Sequence, residues 1–149
     1  MKEIVSLIRE DRESGWIFLP YLFDSSLVYT LKLKRIGVLT KNYIQELTIY
    51  DVLNALWREV YVLRKMSIKE AENLLDVFIQ LLSYLKVLNL SGLESEVLKI
   101  AVETGLTVYD ASYLALARRE KLTLVTEDVK LRSVASTMIQ VVSLDELPA

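Results

Sequence analysis

The chain of 149 residues contains no cysteine and no histidine. The first absence removes disulfides and thiolate nucleophiles, and the two together remove ordinary zinc sites. Without histidine, acid–base work near neutral pH falls to carboxylates, and no ordinary serine or cysteine triad can be assembled. Any metal must be held by oxygen, which favours Mg2+ or Mn2+. Glycine and proline are scarce, at four and two residues, and neither common form of glycine-rich phosphate loop is present. No apolar run approaches the roughly 20 residues that a membrane helix needs. The N-terminal stretch carries Arg9, Glu10, Asp11, Arg12 and Glu13, which is the wrong composition for a secretory signal. The expectation is a cytoplasmic protein without membrane contact. Neither sign of charge dominates: 18 basic and 20 acidic residues give a net charge of −2. The chain therefore lacks the basic footprint of a tight nucleic-acid binder.

What the chain does have is an organising stretch from Thr107 to Leu131, TVYDASYLALARREKLTLVTEDVKL. It reads as a capped helix start carrying Asp110, then a helix, a short buried strand at 122–125, and an acidic turn with Glu127 and Asp128. Upstream, Pro20 bars a central strand before it, so the first strand is placed at Tyr21–Phe23, ending in Asp24. A helix over 26–36 closed by Gly37 follows, after a plausible short helix over 1–14. Residues 40–47 read as a loop with one short element. Thr48 to Asp51 is expected to open a long helix to about Lys65, with Thr48 as its cap. Ser67 and Glu70 form a capping box for a helix to about Tyr84. Its stripe of Leu74, Leu75, Phe78, Leu81 and Leu82 reads as core or dimer face. A strand at 87–90, a helix from Ser91 to Gly105 and a last strand at 138–142 complete the pattern. Alternating helices and short strands predict an α/β fold, a mostly parallel sheet with helices on both faces.

Four carboxylates, Asp24, Asp51, Asp110 and Asp128, fall at strand ends or helix starts, where α/β sites are built. Thr48-Ile49-Tyr50-Asp51 and Thr107-Val108-Tyr109-Asp110 share one form. Helix capping accounts for that form, and so does chemistry; a capped helix also fixes its Asp. Gathered in one pocket, the four would raise one another's pKa, a conflict that a divalent cation resolves. Such a site suits metal-assisted phosphodiester hydrolysis. Ser26 and Thr126 are placed to steady neighbouring carboxylates, although local turn bonding explains them equally. Asn54 lies one turn beyond Asp51 on the same side. Glu127 rivals Asp128, and the Thr126-x-Asp128 spacing favours Asp128. Arg118, Arg119, Lys121, Lys130 and Arg132 read as solvated charge around a helix end.

Phe23-Asp24-Ser25-Ser26, Tyr50 to Leu56, Tyr109 to Ala115 and Leu124 to Leu131, in this order, resemble the four acidic motifs of PIN-domain nucleases. Their spacing is similar to that of the VapC toxins of VapBC toxin–antitoxin pairs. The resemblance covers 21–144 and implies a nuclease domain at 21–149, preceded by an extension at 1–20 of unassigned role. It implies a Mg2+- or Mn2+-dependent ribonuclease that cleaves single-stranded RNA, forms a homodimer and is inhibited by a VapB-like antitoxin. Asp24, Asp51, Asp110 and Asp128 become the catalytic set, with Ser26, Asn54 and Thr126 supporting them. The family usually carries Glu in the second motif. Asp51 retracts that carboxylate by about one C–C bond, so the metal ligands are read as Asp24, Asp110 and Asp128. A catalytically degenerate PIN fold serving as a binding or scaffold module is the alternative. A receiver-like signalling domain also clusters acids on a parallel sheet, but its acidic pair lies close together near the first strand.

Overall fold

The structure is a computed structural model that describes residues 20–32 and 41–147. The expected N-terminal helix over 1–14 and the helix end at Gly37 lie outside the described residues. Five strands form one sheet in the order β3-β2-β1-β4-β5, and every pair is parallel. They are β1 Tyr21–Phe23, β2 Tyr43–Gln45, β3 Lys86–Leu88, β4 Thr123–Val125 and β5 Val141–Val142. The helices are α1 Leu27–Lys32, α2 Glu46–Trp57, α3 Ile68–Leu81, α4 Glu94–Thr104, α5 Val108–Glu120 and α6 Val129–Ala135. A π turn at Arg58–Val62 prolongs α2, and a 3-10 turn at Leu82–Tyr84 prolongs α3. The expected architecture, a parallel sheet with helices on both faces, is what is observed.

The sheet separates two cores. In β1, Tyr21 and Phe23 point into a cluster with Leu27, Val28, Leu31, Val52, Leu56, Phe78 and Leu81. Leu22 points the other way, into a cluster with Val97, Ile100, Leu114, Leu116 and Leu131. That is the period-two alternation of a strand buried on both faces. Of the expected α3 stripe, Phe78 and Leu81 are buried and Leu74, Leu75 and Leu82 partly so. The stripe is core.

The register of β1 against β4 runs Tyr21↔Thr123, Leu22↔Leu124 and Phe23↔Val125. Asp24 and Thr126 therefore emerge side by side at the carboxyl edge. The strand order also reverses here, since the chain leaves β1 for β2 on one side and returns through β4 on the other. This is the switch point where α/β sheets place ligands.

Two local expectations are corrected. The short element expected in 40–47 is a central strand, β2, paired with both β1 and β3. α2 begins at Glu46, with Gln45 as its N-cap. Thr48 is consequently the third helical residue, and its Oγ1 accepts from Gln45 N at 3.1 Å. Two boundaries also move: the helix expected from Ser91 begins at Glu94, and the strand expected over 138–142 is Val141–Val142. Other cap signals hold. Ser67 and Glu70 form the reciprocal capping box of α3. Gly105 ends α4 in the left-handed region at φ 77°. Thr107 then caps α5. Gly105 is what allows the chain to stop one helix and start the next within three residues. Gly105→Ala is expected to cost about 1–2 kcal/mol from the left-handed backbone alone, measurable by urea unfolding. Its Cβ would meet only the end of Lys130, at 3.9 Å.

Candidate active site

Asp24 is the best-buried of the four carboxylates, at 8% exposure. It leaves the end of β1 in a tight turn, and its Oδ1 accepts the backbone N–H of Ser26 at 2.8 Å. The hydroxyls of Ser26 and Thr126 favour its charged form, while Ser26 Oγ donates to the Val125 carbonyl at 3.4 Å. Thr126 is fully buried and its Oγ1 accepts from the backbone N–H of Asp128 at 3.1 Å. Thr126 thus stands between the first and last acidic positions.

Asp51 is half-buried on α2. The Tyr113 hydroxyl donates to its Oδ2 at 2.7 Å. Tyr113 sits on α5, and its ring is among the largest fully buried side chains. Its Oη also lies 2.9 Å from Thr48 Oγ1. On the neighbouring turn, Gln45 Nε2 donates to Ser112 Oγ at 2.8 Å. Sequence reasoning missed Tyr113, Thr48, Gln45 and Ser112 as parts of the site. The available signal was the position of Tyr113 one turn after Asp110. Asn54 is exposed on α2, one turn from Asp51.

Asp110 is the third residue of α5 and lies within electrostatic reach of both Asp128 and Asp51. Asp128 caps α6, its Oδ1 accepting from Leu131 N at 2.7 Å. Glu127 turns elsewhere and accepts from Leu144 N at 2.6 Å. The arginines are engaged away from the acids. Arg118 pairs with Glu96 and Arg132 with Glu146, while Arg119 donates to the carbonyls of Asn89 and Ser91. Lys130 donates to the Gly105 carbonyl at 2.7 Å and is the cation felt by Asp110.

Burial pushes the Asp24 carboxyl above its usual range despite the hydrogen bonds that oppose it, and Asp51 adds to the rise. Burial raises Asp51 too, against the hydrogen bond from Tyr113. For Asp110 burial comes first, then repulsion from Asp128 and Asp51. The Tyr113 phenol is pushed far up by burial and by Asp51, so it stays a donor. Asp51 is thus linked by charge to Asp24 and to Asp110, and Asp110 to Asp128. Among the described residues no three acidic side chains form a ready-made metal-holding group. Mg2+ does not require one, because it takes one or two carboxylates and keeps several waters. An all-oxygen set with excess negative charge fits such a cation.

The PIN domain family matches residues 17–136. The chain is 41% identical over 127 residues to the protein named Exonuclease VapC9 from Pyrobaculum aerophilum, covering 83% of this chain and 92% of that one. The crystal structure of PAE2754 from Pyrobaculum aerophilum superposes with a TM-score of 0.68 at 36% identity, covering 85% and 92% of the two chains. The crystal structure of VapBC2 from Rickettsia felis, bound to a DNA fragment from their promoter, gives a TM-score of 0.55 at 19% identity. It covers 84% of this chain and 98% of that one, a likeness of fold.

A carboxyl whose native pKa is raised costs stability once it ionises. The cost is absent below the unfolded value of about 3.9 and is complete above the native value. Asp24→Asn removes it while keeping an acceptor oxygen. Without metal, Asp24→Asn should have the higher melting midpoint at pH 7, and its advantage should shrink toward zero as pH falls to about 3.9. Calorimetric scans across that range check this.

Proposed function

From the premise that the chain belongs to the PIN-domain family, we propose that it is a metal-dependent endoribonuclease toxin that cleaves single-stranded RNA. The observation that carries the reading is the coupled group of Asp24, Asp51, Asp110 and Asp128 at the switch point of the sheet. One or two carboxylates from among Asp24, Asp110 and Asp128, together with waters, would hold Mg2+ or Mn2+. When bound, that cation supplies Lewis-acid stabilisation of charge on the phosphodiester oxygens. Asp51 keeps one oxygen beyond its bond to Tyr113, and that oxygen orients the attacking water and takes its proton. Thr126 and Ser26 hold Asp24 still. Asn54 lies on the same side of α2 to meet phosphate. The nuclease unit is taken as 21–149, with 1–20 as an extension.

The cytoplasm is the natural compartment for an RNA-cutting enzyme without cysteine. Among the described residues no helix is long and apolar enough to cross a membrane. A VapB-like antitoxin and a second copy of the chain are the proposed protein partners. Exposed Tyr50, Leu53, Trp57 and Tyr61 follow one another along α2 and its π turn at helical spacing. They support a surface for an apolar helix. A negative pocket also suits an Arg from the partner, whose fork pairs with carboxylates and keeps its charge.

The name of the Pyrobaculum relative supports a second reading, an exonuclease. Circular single-stranded RNA separates the two, because only an endonuclease opens it. The expected result with Mn2+ is opening of the circle, with loss of cleavage in Asp24→Asn and Asp110→Asn. Cleavage of linear but not circular RNA would favour the exonuclease. Folded protein that binds metal and cuts neither would favour a degenerate binding module. Millimolar Mn2+ should also raise the melting midpoint relative to EDTA, because the ion binds the native pocket and not the unfolded chain. Identical midpoints would remove the metal site.

A further inference from the structure

The acidic positions do not all face the same problem. Asp24 is held by the turn at its own strand end, and Asp128 by its own helix start. Asp51 lies in the second turn of α2, beyond the backbone N–H groups that a helix start offers. Its fixing must come from another element, and the structure supplies a directed chain of hydroxyls. Tyr113 has one phenolic proton, and an ionised Asp51 can only accept. The proton therefore goes to Asp51 Oδ2, over 2.7 Å. Thr48 must then donate to Tyr113 Oη, over 2.9 Å. Thr48 Oγ1 in turn accepts from Gln45 N, over 3.1 Å. Each member is satisfied, and the direction is forced from the N-cap of α2 to the carboxylate.

The rigidity of this chain follows from burial. Thr48 is fully buried and Tyr113 is 1% exposed. Both lie where a lost partner is not replaced by water without cost. The bond spans 62 residues of sequence and ties α2 to α5, the helix that carries Asp110. We propose that Tyr113, oriented by Thr48, is a positioning residue that fixes Asp51 with one oxygen turned to the reaction. This rests on the nuclease reading of the site.

A double-mutant cycle tests the proposal, with kcat and KM measured on single-stranded RNA in saturating Mn2+. Tyr113→Phe keeps the ring and removes only the hydroxyl. It should lower kcat by about tenfold and leave KM within about twofold. In an Asp51→Ala background the same change should alter kcat by less than about twofold, because nothing remains to be positioned. Thr48→Val, nearly isosteric, should give a smaller loss that is likewise silent without Asp51. Equal losses with and without Asp51, or no loss with it, would overturn the proposal. A wild-type protein that cuts no RNA would end the nuclease reading instead. Proton NMR of the metal-free protein then decides the positioning question. The Tyr113 hydroxyl proton, shielded from exchange, should vanish in Tyr113→Phe and move in Asp51→Ala. A resonance indifferent to Asp51→Ala would overturn the proposal on its own.

Discussion

The site depends on a carboxylate buried at the end of a central strand. Removing Asp24 from water costs several kcal/mol unless its oxygens are bonded. The Ser26 N–H provides one such bond, and the Ser26 and Thr126 hydroxyls favour the charged form. Thr126 is at hand because β1 and β4 are parallel neighbours in a register that brings Asp24 beside it. The bonds favour the charged form and burial opposes it; burial wins, since the carboxyl remains above its ordinary range. The fold therefore holds an acid under stress at the point where the strand order reverses.

Structural and chemical roles coincide at the remaining acids. Asp128 caps α6 through one oxygen, and Asp110 sits in the first turn of α5, where the helix end favours negative charge. Each stabilises a helix on its own account. The same bonds fix rotamers and aim the charges at one another. Repulsion from Asp128 and Asp51 adds to the rise that burial causes at Asp110.

Much of this was legible because its causes are local. Pro20 sets the start of β1, Gly105 ends a helix, and Thr107 and Ser67 begin the next ones through side-chain caps. Asp24, Asp110 and Asp128 each lie beside such a signal, whereas Asp51 was read from a Thr48 cap that the structure places inside the helix. β2 was not legible as a central strand. It is three residues long, and one of them, Gln45, is buried and polar. Its identity comes from pairing with β1 and β3, which no local window contains. The same cause shifted the start of α2 from Thr48 to Glu46. Tyr113 was hidden for a related reason: a tyrosine among Ala and Leu on a buried helix reads as core, and its ring is core. Only its hydroxyl belongs to the site, and its partner lies on another helix.

The charge balance sets an order of events on the nuclease reading. Arg118 and Arg132 are paired with glutamates and Arg119 is turned to backbone carbonyls. Lys130 relieves Asp110, and its amine is also committed to the Gly105 carbonyl. Among the described residues the site's acids are thus largely uncompensated. An RNA phosphate carries the same sign as the pocket and is repelled until that charge is offset. On that reading a divalent cation would have to offset this charge before the scissile phosphate could approach. A cationic side chain from a partner would answer the same deficit without offering a Lewis acid. The electrostatics that would suit the pocket to a metal would then suit it equally to an inhibitor, and the two would compete for one charge.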